Sequence, residues 1–489
     1  MQSLLPVLGI LGAILMFFAA AMGVPYAVSG WLRDTAIGAW PASMAATFGC
    51  GLALWLGARR FRRELQARDG VLLVSLAWTV LPLFACLPLL LYFHQDARPI
   101  SFTDAYFEAM SGLTTTGATV LSGLDALPVS INLWRCLLQW MGGMGILVLA
   151  VAILPLLGAG GSQLFKAETA GPLKDTKLTP RITETAKGLW SVYVSFSIAC
   201  LLVYRIGGMG WPDAWMHMFT TVSLGGLSSH DSSFGYFRSP LLEGACVVFM
   251  LLASCNFALY FVALRKRSAR QLLGDSETRA TLGLMVGASL LVAALLLLKG
   301  SYADPLLALR HAFFNVVSVA STTGFATVDY SRWPIFAPVL MLMLSGVATS
   351  AGSTGAGIKM VRVIILLKQA RREMSRLVHP RAVNPVMLGA SPVHSSAIFA
   401  VLAFMLVYGA TILGLTMVML LTDLDVVTAF TAVAASVNNM GPGLGPVGPA
   451  GTFGPLSDVQ TWVCTLAMLL GRLEMLSFMV LLTPSFWRK

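Results

Sequence analysis

Charge is scarce in this chain. Asp, Glu, Lys and Arg make up 11% of 489 residues, 57% are hydrophobic, and mean hydropathy is +0.78. A water-soluble fold of this length has nowhere to bury so much apolar surface, so a bilayer must solvate it. Paired cysteines are absent too. Cys50, Cys86, Cys136, Cys200, Cys246, Cys255 and Cys464 show no CxxC or paired spacing, and read as small core residues, not disulfides or metal ligands. The six histidines lack ligand spacing. There is no HExxH, no nucleophile–base cluster and no paired carboxylate within an apolar run, so enzyme chemistry finds no foothold. No GxGxxG follows a strand and no soluble domain of any size is present, so no cofactor is expected in this chain. Leu4–Val28 is too long for a signal-peptide core and reads as a first membrane span.

What remains is a succession of apolar blocks near Leu4–Val28, Ala36–Leu56, Val71–Phe93, Ile131–Leu157, Gly188–Tyr204, Leu241–Leu264, Ala280–Leu298, Pro334–Leu367 (interrupted), Ser395–Leu421 and Trp462–Leu482. At about 20 residues apiece these give ten spanning segments. Between them lie four shorter stretches, near Phe102–Leu113, Trp211–Thr221, Pro305–Ser321 and Val426–Val437. Each is too short to cross hydrocarbon, which predicts re-entrant half-helices. Each leads into a glycine-containing loop: SGLTTTGATV at Ser111–Val120, TTVSLGGLS at Thr220–Ser228, SVASTTGFAT at Ser318–Thr327 and AASVNNMGPGLG at Ala434–Gly445. Taking Gly117, Gly225, Gly324 and Gly441 as equivalent, the spacing is that of a duplicated module.

Arg59, Arg60, Arg62, Arg63 and Arg68 crowd one connection; Lys166, Lys174, Lys177, Arg181 and Lys187 the next on that side. Arg265, Lys266, Arg267, Arg270 and Arg279 follow, then Lys368, Arg371, Arg372, Arg376 and Arg381, and Arg488 and Lys489 close the chain. The positive-inside rule places these in the cytoplasm, with both termini. The net charge of +11 is thus a topology signal; a nucleic-acid partner would need basic residues gathered in one folded domain. The opposite side carries Asp96, Asp104, Glu108, Asp125, Asp213, Asp231, Asp304, Asp329, Asp423, Asp425 and Asp458. These either concentrate cations at the mouth or serve as helix caps and loop solvation. Asp304 before Pro305 and Asp425 before the fourth half-helix have the position of caps.

The repeating unit is span, half-helix, glycine loop, span. A half-helix entering the membrane points its C-terminal carbonyls, about half a negative charge, at the midplane. The returning loop carries unpaired carbonyls, which require a wet cavity. Four such loops about one axis form rings of oxygens able to replace the hydration shell of a monovalent cation. Glycine permits the torsions that turn those oxygens inward. The side chains at Thr114–Thr116, Val222–Leu224, Thr322–Thr323 and Asn438–Met440 differ too much to ligate alike, which favours main-chain ligation. Gly142, Gly143 and Gly145, by contrast, read as close helix packing.

TTTGATV at Thr114–Val120, STTGFATVDYSRWP at Ser321–Pro334, GSTGAGIK at Gly352–Lys359, NNMGPGLG at Asn438–Gly445 and GRLEML at Gly471–Leu476 together resemble the Trk/Ktr/HKT superfamily of potassium transporters, bacterial TrkH type, over essentially the whole chain. The resemblance implies an all-α polytopic membrane protein of the bacterial inner membrane, in which a leading two-helix hairpin precedes four span–half-helix–loop–span repeats in pseudo-fourfold arrangement around a central pore. The expected divisions are 1–69 for the hairpin and 70–184, 185–276, 277–382 and 383–489 for the repeats. It implies potassium as substrate and filter carbonyls from Thr115, Thr116 and Gly117; Ser223, Leu224 and Gly225; Thr322, Thr323 and Gly324; and Asn439, Met440 and Gly441. Glycine at 117 supports potassium over sodium, and VSLGG, which departs most from TTTG, should make the filter looser than one with four identical loops. A homodimer and a cytosolic TrkA-type nucleotide-binding subunit are the implied protein partners. The basic connections could equally dock an acidic partner or anchor to anionic membrane lipid.

The eighth apolar block is broken by SGVATSAGSTGAGIKM at Ser345–Met360, too rich in Gly and Ser for a straight helix. The family reading makes it an intramembrane gate, with Gly352, Ser353, Thr354, Gly355 and Gly357 in the loop and Lys359 snorkelling to the cytoplasmic edge. Arg472 lies inside Trp462–Leu482, so it must face a wet or paired site. The family places it beneath the filter, where a charge roughly 10 Å from a passing cation opposes it by ~1.7 kcal/mol at an effective dielectric near 20. Pairing with Glu474 or another buried acid is the alternative, although Arg472 and Glu474, two apart on a helix, do not share a face. Arg472 stands nearly alone as an ionisable residue within a span. That favours a channel-like pore over a secondary transporter coupling potassium to protons or sodium, which also uses broken helices.

Overall fold

The computed structural model describes residues 4–61, 66–152, 182–268, 270–381, 384–389 and 391–488. Of the expected cytoplasmic markers, Arg62, Arg63, Lys166, Lys174, Lys177, Arg181 and Lys489 lie outside the described residues. The described chain is overwhelmingly helical. Six helices are long and apolar enough to cross a bilayer: Leu5–Leu32, Ala39–Ala58, Arg68–Gln95, Ala186–Ile206, Ser276–Leu298 and Ser395–Leu420. In the leading hairpin, Gly12 and Gly51 each present their bare Cα to the other's carbonyl: an added Cβ would lie 2.6 and 2.8 Å from oxygen. That mutual approach lets the two helices pack backbone to backbone.

Of the remaining expected spans, Ile131–Leu157 is helical over its described part, Val129–Ala152, and the other three are broken or stop early. Pro240–Ala253 and Phe257–Lys266 meet at 90° where one continuous span was expected. The cause is Ser254-Cys255-Asn256. The Asn256 side chain caps the second helix through Ala258 N at 2.9 Å, while Phe257 N donates to Gly352 O and Ser254 O accepts from Ser350 N. The break is thereby stitched to the interrupted segment, where Phe336–Val347 and Met360–Val378 flank a non-helical stretch. The last span also stops early: Asp458–Arg472 ends at the arginine, and Glu474 and Met475 adopt φ of 53° and 39°.

The four short helices form as expected, over Phe102–Leu113, Trp211–Val222, Pro305–Ala320 and Val426–Val437. Twelve to sixteen residues rise only about 18–24 Å, less than the hydrocarbon thickness. Ser101, Asp304 and Asp425 cap three of them through side-chain oxygens that accept from Asp104 N, Leu306 N and Thr428 N. Each short helix also touches the helix that closes the preceding repeat. Trp211–Val222 packs on Val129–Ala152, Pro305–Ala320 on Pro240–Ala253, Val426–Val437 on Phe336–Val347, and Phe102–Leu113 on Asp458–Arg472. The last of these contacts joins the fourth repeat to the first, so the order closes into a ring. A two-residue β-hairpin, Met387–Leu388 with Ser391–Pro392, is the single departure from helix among the described regular elements.

Candidate functional site

All four short helices end in the same turn. Thr114, Ser223, Ser321 and Asn438 are the C-caps. The next residue is left-handed in every case: Thr115 (φ 54°), Leu224 (54°), Thr322 (63°) and Asn439 (48°). The residue after it donates its N–H five positions back, Thr116 to Ser111 O, Gly225 to Thr220 O, Thr323 to Ser318 O and Met440 to Ala435 O, at 2.8–2.9 Å. A left-handed glycine then turns the chain outward: Gly117 (82°), Gly226 (75°), Gly324 (87°) and Gly441 (100°).

This repetition corrects the register expected for the second loop. Gly226, not Gly225, matches the other three glycines, and the equivalents of Thr115 and Thr116 are Leu224 and Gly225 instead of Ser223 and Leu224. Two adjacent glycines left the sequence with two registers. The hydrogen bonds choose one, because Ser223 is already used as the helix cap.

The four glycines close a circle. A Cβ added at Gly117 would lie 2.1 Å from Gly225 O; at Gly226, 1.8 Å from Thr323 O; at Gly324, 2.1 Å from Met440 O; and at Gly441, 3.0 Å from Thr116 O. Each glycine thus meets the carbonyl of the residue before the glycine in the next repeat, and the fourth meets the first. Only glycine fits both the torsion and the contact. Above this ring lies a cavity of about 80 Å³ lined by Gly117, Gly226, Gly324 and Pro442, with Arg135 and His230 on its wall.

Each loop is braced by a polar residue of its own short helix. Glu108 accepts from Val120 N and Thr119 Oγ1 at 3.0 Å; His217 Nε2 lies 2.9 Å from Ser228 Oγ; Asn315 Oδ1 accepts from Thr327 N; Thr431 Oγ1 accepts from Leu444 N. His217, Asn315 and Thr431 were missed at the sequence level, and Glu108, expected at the mouth or as a cap, is instead buried and braces the loop. Their partners lie 11 to 13 positions downstream, beyond any helical or strand period, so no pattern announces them.

Arg472 was not alone among buried charges. Glu108, Arg135, Glu243, Glu277 and Arg362 are all at most 2% exposed. Arg135 Nε donates to Glu108 at 2.7 Å, Arg310 pairs with Glu243, and Arg362 Nη2 donates to Glu474 at 2.7 Å while its guanidinium lies over Phe404. Pairing is what makes such burial tolerable; removal of one partner costs about 3–5 kcal/mol. Glu474 is therefore engaged by Arg362. Arg472 instead donates from Nη2 to Gly142 O at 3.0 Å and from Nη1 to Thr354 O at 3.3 Å, its guanidinium carbon 5.6 Å from the Trp78 ring centre.

Thr354 belongs to the interrupted segment, which hangs directly from the ring of loops. Thr354 Oγ1 donates to Val222 O at 3.1 Å, and Ala356 N donates to Thr322 Oγ1 at 3.2 Å. Gly352 and Gly357 take φ of 71° and 85°, and a Cβ at Gly355 would lie 2.6 Å from Thr349. Ser353 Oγ donates to Ser350 O within the turn. Lys359 departs from its expected place: it is 6% exposed and folds back onto Gly355 O, so it does not reach the membrane edge. Both ends of the segment converge on Glu277, whose Oε1 accepts from Ala351 N at 2.7 Å and Val361 N at 3.2 Å. Gly142 and Gly143 pack as expected, with added Cβ atoms 1.9 Å from Leu113 O and 2.8 Å from Ser223 Cβ.

Comparison with known proteins places this geometry. The profile of the TrkH family, described as cation transport protein, matches residues 41–489. A Trk system potassium uptake protein TrkH of Halomonas elongata is 45% identical over 488 residues, covering 100% of both chains. That of Escherichia coli is 42% identical over 480 residues, covering 98% of each. The crystal structure of the potassium transporter TrkH from Vibrio parahaemolyticus superposes with a TM-score of 0.91 at 42% identity, covering 100% of this chain and 99% of that one.

Proposed function

The chain belongs to the TrkH family of cation transport proteins, and from that membership we propose that it carries potassium into a bacterium through a gated, channel-like pore in the inner membrane. The observation that carries the reading is the cyclic glycine–carbonyl contact from Gly117 through Gly226 and Gly324 to Gly441 and back to Thr116. Peptide oxygens of Thr115, Thr116 and Gly117, of Leu224, Gly225 and Gly226, of Thr322, Thr323 and Gly324, and of Asn439, Met440 and Gly441 then replace water around the ion. The membrane potential supplies about 2.3 kcal/mol per charge per 100 mV, so conduction needs no coupled ion.

Below the filter, the segment from Ala351 to Lys359 obstructs the exit, and Arg472 both holds it and repels cations. Arg135 with Glu108, Arg310 with Glu243 and Arg362 with Glu474 pair as helix staples do, which favours a pore over a proton- or sodium-coupled carrier. The basic connections face the cytoplasm. There a TrkA-type nucleotide-binding subunit meets the chain and moves the gate, in keeping with relatives named as parts of a Trk system, and two copies of the chain form a homodimer.

The test is growth of a bacterium lacking its own potassium uptake on low-potassium medium, followed by current recordings in proteoliposomes. Rescue, with a reversal potential that follows the potassium gradient alone, supports the reading. Flux that saturates with a fixed ratio to protons or sodium would replace the pore with a carrier.

A further inference from the structure

Gln139 stands on Val129–Ala152, fully buried, in the repeat before the loop it touches. Its carboxamide grips the second filter turn at two points. Nε2 donates to Gly225 O at 2.6 Å, and Oε1 accepts from Leu227 N at 3.1 Å. A Cβ added at Gly225 would fall 2.4 Å from the Gln139 Cδ and Oε1 and 2.7 Å from Nε2. Gly225 is not among the residues of positive φ, so its torsion does not demand glycine. The amide of Gln139 does, by filling the space a side chain there would take.

The corresponding residues of the first and third turns tie themselves back. Thr116 Oγ1 lies 2.7 Å from Thr114 Oγ1 and accepts from Asn439 Nδ2; Thr323 Oγ1 lies 2.7 Å from Ser321 Oγ. We infer that Gln139 is a positioning residue for ion discrimination, standing in for the side chain that Gly225 lacks and holding one filter oxygen by an amide donor. The inference rests on the pore reading above. Its physical content is twofold. The donor fixes how far the Gly225 carbonyl swings toward the axis, and it withdraws part of that oxygen's capacity from the ion. Without it, the oxygen is free to collapse around a smaller cation, so sodium gains relative to potassium.

The experiment measures the potassium-to-sodium permeability ratio from reversal potentials of purified protein in proteoliposomes. Q139M keeps most of the bulk and Q139A does not, and neither has a proton to give Gly225 O. Each is expected to conduct potassium with a ratio lowered by roughly tenfold, the worth of one hydrogen bond. The double variant Q139A/G225T returns a hydroxyl side chain to the turn itself and is expected to recover the ratio to within about twofold, whereas G225T alone is blocked by Gln139 and assembles poorly. A wild-type ratio in Q139M overturns the assignment. Where the single variants do not assemble, a selective double variant supports it and an unassembled one overturns it. A wild-type protein that carries no potassium would instead sink the pore reading itself.

Discussion

The guanidinium of Arg472 lies 3.3 Å from the carbonyl oxygen of Thr354, so a buried charge of the fourth repeat holds the interrupted segment of the third. The same group also holds Gly142 O in the first repeat, and one Arg472 N–H, Nε, is buried without a partner among the described residues. In the proposed pore, replacing Arg472 by Ala removes a cation from the path and frees the segment. Both effects raise flux. Relief of ~1.7 kcal/mol from the charge alone is worth at most roughly twentyfold. Potassium or rubidium uptake into proteoliposomes, normalised to protein, checks this; unchanged uptake at normal protein levels would show that the arginine does not face the ions.

The register of the second loop is testable by two glycines. Gly226→Ala must take φ of 75° and push against Thr323 O at 1.8 Å, so uptake should be abolished. Gly283→Ala, on a membrane helix with nothing within 4 Å of the added Cβ, should be neutral or slightly stabilising. Complementation on low potassium distinguishes them. Growth of the Gly226 variant at the wild-type rate would mean that the loop does not shape the filter.

Much of this architecture is legible in the primary structure because it depends on local chemistry. Short apolar stretches before Gly117, Gly324 and Gly441 announce half-helices and turns, and Asp304 and Asp425 announce their caps. What could not be read depends on residues far apart in the chain. Gln139 and Gly225 are separated by 86 positions, Glu277 and Ala351 by 74, Arg472 and Thr354 by 118. In a helix of one apolar run, such a residue looks like an isolated polar intrusion until its partner arrives from another repeat. The bend after Ala253 was hidden for the same reason, since the backbone groups freed at Ser254 and Phe257 are satisfied by Ser350 and Gly352.

Glu277 anchors both ends of the interrupted segment through one oxygen, which makes a sharp prediction possible. Glu277→Gln retains a carbonyl oxygen able to accept from Ala351 N and Val361 N, and should stay near wild type. Glu277→Ala leaves two buried N–H groups unsatisfied, at about 1–3 kcal/mol each. It should lower the thermal stability of the detergent-solubilised protein and produce a leak of potassium in the absence of any partner. Equal leak in the two variants would mean that the negative charge, and not the acceptor oxygen, closes the segment.

His230 sits on the wall of the cavity above the ring, Nδ1 2.5 Å from Asp125 Oδ1 and Nε2 3.2 Å from Asp213 Oδ1, its ring stacked on Tyr236 and beside His217. Burial pulls its pKa down, but hydrogen bonds and charges from Asp213 and Asp125 outweigh it and hold the imidazole above its ordinary 6.5. The protonated form is therefore the one the fold favours. Its stabilisation is complete below the unfolded value near 6.5 and is lost as pH rises through the elevated folded value. Above that point the neutral ring leaves both carboxylates uncompensated at the mouth, and the local cation concentration rises. Alkalinisation on the cavity side should then increase uptake about twofold at subsaturating potassium, with little change at saturation. His230→Gln should flatten the profile while retaining a donor to either carboxylate. Initial rates of rubidium uptake across pH 5.5 to 8.5, roughly one decade or more on each side of the ordinary histidine range, check the prediction. An identical slope in wild type and His230→Gln would assign the pH response to another group.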